Sequence, residues 1–225
     1  MSRVYVPSAG PGSWQALLAD PIKHWATGYS ARTLAHAWED QDGFPPEIVA
    51  ILQQRAALAN AEPLLIFPEW KVPLPGGARP SQNDVWVLAK SPAGIISIAV
   101  EGKVNEPFDK TIGEWKLDIS PGKEERLQFL SAVLGLASPI PDSVRYQLLH
   151  RAASAVIEAE RFNASHAVML VHSFSPNNQW LEDFVAFTAL YGLSAQVGRL
   201  VSTQARHNLP LHFGWVHGHE RFLRV

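Results

Sequence analysis

Hydrophobic and polar positions alternate most regularly in the middle of the chain. Val85-Trp86-Val87-Leu88-Ala89-Lys90 and Ile95-Ile96-Ser97-Ile98-Ala99-Val100 are two β-branched, apolar runs separated by Ser91-Pro92-Ala93-Gly94. Apolar runs on either side of a Pro/Gly turn predict an antiparallel hairpin. Pairing Lys90 with Ile95 and counting outward sets Ala89 opposite Ile96, Val87 opposite Ile98 and Val85 opposite Val100, an apolar face. The other face carries Trp86 opposite Ala99 and Leu88 opposite Ser97, and turns charged only at its open end, where Asp84 falls opposite Glu101. Directly opposed residues have Cβ atoms roughly 4.5–5.5 Å apart, and Lys103, two residues on, points to the same side. A slip of one residue would send the two acids to opposite faces.

Around this hairpin the periodicity is mostly helical. Trp14–Leu18, then Ala31–Glu39 behind a possible Ser30 cap, then Glu47–Ala59 behind Pro45-Pro46 read as helices. Leu64–Phe67 begins a strand, which Pro68 bends before Glu69–Val72 continues it. Beyond Lys103 an irregular stretch holding Phe108, Trp115 and Pro121 leads to a helix over Lys123–Leu136. The longest helix, capped by Asp142 or Ser143, runs to Phe162 with a stripe of Val144, Leu148, Ala152, Ala155 and Val156. Ala167–Phe174 reads as a buried strand, Trp180–Leu190 as a helix and Leu211–Val216 as a late strand. This order predicts one mixed α/β (α+β) domain whose sheet is covered on both sides.

The chain has 225 residues, 47% hydrophobic and 18% charged, enough for one substantial core. No apolar run approaches the roughly 20 residues that span a bilayer, and Met1–Pro7 shows no secretory leader pattern. The expectation is a cytoplasmic protein with no membrane association. The absence of cysteine excludes disulfides, thiolate zinc sites and cysteine nucleophiles. A net charge of −2 gives no global pull towards nucleic acid but allows a local basic cleft. Arg32, Lys71, Arg79, Lys90, Lys103, Lys110, Lys116, Lys123 and Arg126 supply scattered cations for one.

Asp84 on one strand followed by Glu101-Gly102-Lys103 on the next resembles the acidic residue and Glu-x-Lys of the PD-(D/E)XK nuclease superfamily. The resemblance runs from about Pro45 to Phe174. It implies a restriction-endonuclease-like αβββαβ core at 45–174, with an N-terminal helical extension at 1–44 and a helix and strand added at 175–225. It implies metal-dependent hydrolysis of nucleic acid, DNA above RNA, with Mg²⁺ or Mn²⁺ on Asp84, Glu101 and the Gly102 carbonyl, Lys103 positioning the attacking water, and dimer formation as in other restriction-type enzymes. Glu69 and Lys71, one strand earlier, alternate in the same way, which makes Glu69 a candidate third acid, and Glu47 is a candidate on the preceding helix. Gln147 and Arg151, four apart on one helical face, are candidates to face the site. Phosphodiester hydrolysis needs a cation to offset transition-state charge, and two carboxylates with water suffice to hold Mg²⁺.

Two other readings compete. The same fold could serve as a noncatalytic module that binds nucleic acid or protein. His217, His219 and either His212 or Glu220 could form a zinc site in the tail. Gly76-Gly77 and Gly10-Pro11-Gly12 lack the Lys-Ser/Thr of a phosphate loop, and the chain has no Gly-x-Ser-x-Gly elbow.

Overall fold

The hairpin forms in the expected register. In the computed structural model, which describes residues 8–225, Val85 pairs with Val100, Val87 with Ile98, Ala89 with Ile96 and Lys90 with Ile95. Ser91↔Gly94 closes the ladder around Pro92-Ala93. The Ser91 hydroxyl accepts from Ala93 N–H at 3.1 Å, and Gly94 takes φ 132°, a conformation that only glycine adopts cheaply. Met1–Pro7, where the leader reading falls, lie outside the described residues.

These two strands, β2 (Ser81–Ser91) and β3 (Gly94–Lys103), sit in a six-stranded mixed sheet. Its other strands are β1 (Glu62–Val72), β4 (His166–Ser173), β5 (Val201–Gln204) and β6 (Pro210–His217), in the order β1-β2-β3-β4-β6-β5. β3, β4 and β6 run parallel, and the remaining pairs are antiparallel. Among the described residues the α-helices are α1 (Ser30–Glu39), α2 (Pro46–Leu52), α3 (Ile112–Lys116), α4 (Pro121–Leu134), α5 (Tyr146–Arg161) and α6 (Leu181–Ala189).

Both faces of the sheet are covered. Val85, Val87, Ile98, Val100, Val168 and Leu170 pack under Leu34 and Trp38 of α1 and Ile48 and Ile51 of α2. Trp86, Ala99, Met169, Val171 and Phe213 pack under α4, α5 and α6 through Leu130, Leu148, Ala152 and Phe187. The α5 stripe expected from periodicity is buried along its length. Among the described residues no helix is long and apolar enough to cross a membrane.

Element boundaries differ from the sequence reading where long-range contacts compete. The longest helix starts at Tyr146, not at an Asp142 or Ser143 cap. Asp142 and Val144 instead give their carbonyls to Gly113 N–H (2.9 Å) and Ile112 N–H (2.8 Å), and Val144 N–H closes a turn on the Pro141 carbonyl at 3.2 Å, so a turn rather than a helical cap occupies these residues. α2 ends at Leu52 because the following residues tighten into i,i+3 bonds, including Gln54 N–H to Ile51 and Leu58 N–H to Arg55. Ser30 is the first residue of α1 rather than its cap, and its N–H donates to Glu106 at 2.8 Å. β5, four residues long, is too short to leave a periodic signal. Gly76-Gly77 is a packing device: a Cβ on Gly76 would lie 1.9 Å from the Gly122 carbonyl, and Arg126 donates to the Leu74, Pro75 and Gly77 carbonyls.

Candidate functional site

Three neighbouring strands place their acids in one row. The β2–β3 ladder ends at Val85↔Val100, so the next step outward sets Asp84 beside Glu101. On the other side, Pro68↔Val85 and Trp70↔Asn83 bracket Glu69 opposite Asp84. All three acids, with Gln82, Lys103, Gln147 and Arg151, line one cleft of about 520 Å³. Lys23, His24, Tyr29 and Ser30, in and beside the loop entering α1, form its other wall.

Glu69 reaches the cleft through an unusual backbone. It takes φ 53° in mid-strand, a left-handed conformation rare for a residue with a Cβ. Phe67 and Trp70, three positions apart, consequently both pack on Trp86, with ring centroids at 5.5 and 5.4 Å. The two-residue alternation is broken at Glu69, so Lys71, expected to follow it towards the site, is exposed. Gln82 donates to Glu69 Oε2 at 2.6 Å.

Glu101 is the most enclosed of the acids, 2% exposed. Its Oε1 accepts from Lys103 Nζ at 2.7 Å and Gln147 Nε2 at 2.7 Å, and its Oε2 accepts from Arg151 Nε at 2.5 Å. The i,i+4 pair on α5 therefore does meet the hairpin. Arg151 Nη1 also donates to Ser81 Oγ at 3.2 Å, and Ser81 bonds His150 Nδ1 at 2.8 Å. Lys103 Nζ donates to Gln147 Oε1 at 3.2 Å and lies 4.7 Å from the Phe108 ring centre.

Asp84 is held differently. Its Oδ2 accepts from Gly102 N–H at 2.7 Å, while its Oδ1 stands 4.0 Å from Arg151 Nη2. Gly102 is closely packed: a Cβ there would lie 3.1 Å from Leu34 Cδ2 and 3.3 Å from Asp84 Oδ2, so a side chain would require both neighbours to give by a few tenths of an ångström.

Charge balance divides the three acids. Burial raises the Glu101 carboxyl, but the Arg151 and Lys103 charges outweigh it and hold the group below the usual range. For Asp84, burial and then the Glu101 charge win over Arg151 and Lys103, pushing it up to about 7. Burial and the Asp84 charge push Glu69 up to about 8 against the Gln82 hydrogen bond and Arg151. His150 is held neutral by burial and by Arg151, Arg126 and Lys103.

Among the described residues no three His, Asp or Glu side chains are already gathered around a metal position. The donor chemistry still fits a hard cation at Asp84 and Glu69, two uncrowded carboxylates lining the same cleft. It fits less well at Glu101, whose two oxygens are occupied by cationic and amide donors.

Glu47 does not join this group. It lies on α2 against the opposite face, where its Oε1 pairs with His172 Nε2 at 2.7 Å. His172 Nδ1 accepts from Trp38 Nε1 at 3.3 Å, so this histidine is fully used in packing. Ser173 is also buried, its Oγ accepting from Ser175 N–H. The tail histidines are not gathered either. His212 bonds His166 and Ser202 near the start of β6, while His217 closes that strand and His219 Nδ1 accepts from Arg221 N–H. Of the nine scattered cations only Lys103 lines the cleft. Gln82, Ser81, His150 and the wall from Lys23 to Ser30 are additions that sequence reasoning missed. Gln82 alone had a signal, two residues before Asp84 and hence on its face.

A family model described as a domain of unknown function, DUF6946, matches residues 7–220. No curated protein matches the chain, and neither does any solved structure.

Proposed function

We propose that this chain, which belongs to the DUF6946 family, is a metal-dependent nuclease that hydrolyses phosphodiester bonds of nucleic acid, DNA in the first instance, in the Asp84 cleft. The carrying observation is the meeting of Asp84, Glu101 and Lys103 with Gln147 and Arg151 at one end of the interior strands β2 and β3. The order of elements around it supports the restriction-endonuclease-like reading. A β1-β2-β3 meander is followed by a helical crossover and a fourth strand parallel to the third.

Mg²⁺ or Mn²⁺, when bound, would offset phosphate charge and lower the pKa of a coordinated water. Asp84 would hold it with the oxygen turned away from Gly102. Lys103 has three N–H donors, of which two serve Glu101 and Gln147. The third is left to orient the attacking water or to stabilise the oxygen on which charge builds. Glu101 and Gln147 fix that ammonium in place, and Arg151 sets Glu101. The Lys23, His24 and Tyr29 wall would lie along the bound strand.

The test is cleavage of plasmid and single-stranded DNA with Mg²⁺ by the wild type and by Asp84→Ala, Glu101→Ala and Lys103→Ala. Loss in each variant with circular dichroism unchanged supports the reading; retained Mg²⁺-dependent cleavage in all three rejects it. One observation favours the noncatalytic binding module instead: Glu101 has both oxygens bonded to cationic or amide groups. That module would bind DNA or protein without taking up Mn²⁺ at Asp84, so calorimetry with Mn²⁺ separates the two.

A further inference from the structure

We infer that the divalent cation of this cleft sits between Glu69 and Asp84, and that Glu101 is not a ligand but the anion that fixes Lys103 and Arg151. The inference rests on the nuclease reading above and concerns which of the chain's acids face the metal.

Three observations carry it. The first is occupancy. Glu101 accepts three hydrogen bonds from Lys103, Gln147 and Arg151, all between 2.5 and 2.7 Å. A metal would have to displace an ammonium or a guanidinium from a group 2% exposed. Among the described residues Asp84 accepts one hydrogen bond, from Gly102, and Glu69 one, from Gln82. Each therefore keeps a carboxylate oxygen with no hydrogen bond from these residues.

The second is register. Glu69 and Asp84 are opposed on adjacent antiparallel strands, bracketed by Pro68↔Val85 and Trp70↔Asn83. That spacing brings side chains within reach of one ion. The strand takes φ 53° at Glu69, and the acid lines the cleft beside Asp84.

The third is charge count. Three carboxylates, Glu69, Asp84 and Glu101, and two cations, Lys103 and Arg151, meet at the strand ends, and both cations are within 2.7 Å of Glu101; the rest of the lining adds one charge of each sign, Lys23 and Glu106. Glu69 and Asp84 are left sharing one distant guanidinium nitrogen, 4.0 Å from Asp84 Oδ1. Two partly buried acids with so little counter-charge suit a divalent cation.

The experiment is calorimetric titration of the full chain with MnCl₂, alongside circular dichroism. Glu69→Gln should weaken Mn²⁺ binding at least tenfold, as should Asp84→Asn, whereas Glu101→Gln should stay within about threefold of wild type. Because Glu101→Gln leaves Arg151 without its acid, the charge-balanced double variant Glu101→Gln/Arg151→Gln is titrated too. The Glu69 arm decides by itself, since this isosteric change removes one charge from the ligand pair and leaves the core untouched. Wild-type affinity in Glu69→Gln overturns the inference. So does tenfold loss in a folded Glu101 variant, which would return the cation to Asp84 and Glu101 and leave the nuclease reading standing. A wild type that takes up no Mn²⁺ overturns both.

Discussion

Replacing Arg151 by Met probes the arrangement that holds the site together. The guanidinium is 7% exposed and donates to Glu101 Oε2 at 2.5 Å and to Ser81 Oγ at 3.2 Å. Removing one member of a buried ion pair costs about 3–5 kcal/mol, because the partner stays buried and uncompensated. Here Lys103 remains 2.7 Å from the other Glu101 oxygen, so we expect a net loss of about 2–4 kcal/mol. Adding Glu101→Gln removes the stranded charge, and the double variant should be less destabilised than the sum of the singles by about 1–3 kcal/mol. Urea unfolding followed by fluorescence of the chain's tryptophans measures all four corners of the cycle. Additive effects, or a single Arg151→Met cost below about 1 kcal/mol, would refute the claim that this pair organises the cleft.

Other outcomes follow from the same geometry. The Asp84 and Glu69 carboxyls lie near 7 and 8 when folded, against 3.8 and 4.5 for the free groups. They bind protons more tightly in the folded chain, so their contribution is full below about pH 4 and is lost as pH rises through 7–8. Thermal midpoints measured without divalent cations should therefore fall from pH 5 to pH 8.5, and fall less steeply in Asp84→Asn; equal slopes would contradict the electrostatic account. Lys103→Met should keep Mn²⁺ binding while lowering cleavage by about 10²–10³-fold, and loss of metal binding instead would contradict its assigned role. Gly218→Ala would place a methyl 2.3 Å from Phe174 Cε1 and 2.7 Å from His172 Nε2. Overpacking of this kind costs about 1–3 kcal/mol, so an unchanged urea midpoint would count against the tight seat of this turn.

Local pattern carried the sequence reading a long way. Residues 84–103 encode their own register, because a two-residue Pro92-Ala93 turn and β-branched alternation leave one pairing that buries both faces. The α5 stripe is buried as its periodicity predicts, although the middle of the helix is buried on its other sides too, and Gln147 and Arg151 reach the hairpin as the i,i+4 spacing allows. Failures came where distant contacts outweigh local preference. Glu47 was assigned by analogy, yet α2 covers the opposite face and its acid meets His172. Lys71 was placed by alternation, which the left-handed Glu69 breaks. The wall formed by Lys23, His24 and Tyr29 was not legible, because a loop carries no periodicity and its docking is set by the tertiary fold. Occupation of both Glu101 oxygens depends on rotamers of three elements at once, which no spacing rule encodes.

The most direct measurement is anomalous diffraction from crystals of the chain soaked in MnCl₂. A manganese peak at coordination distance from the Asp84 carboxylate, with Glu69 on its other side and Glu101 still bonded to Arg151, is the predicted result. A cleft without manganese in crystals of the folded protein, or manganese bound only at sites away from Asp84, would contradict the account.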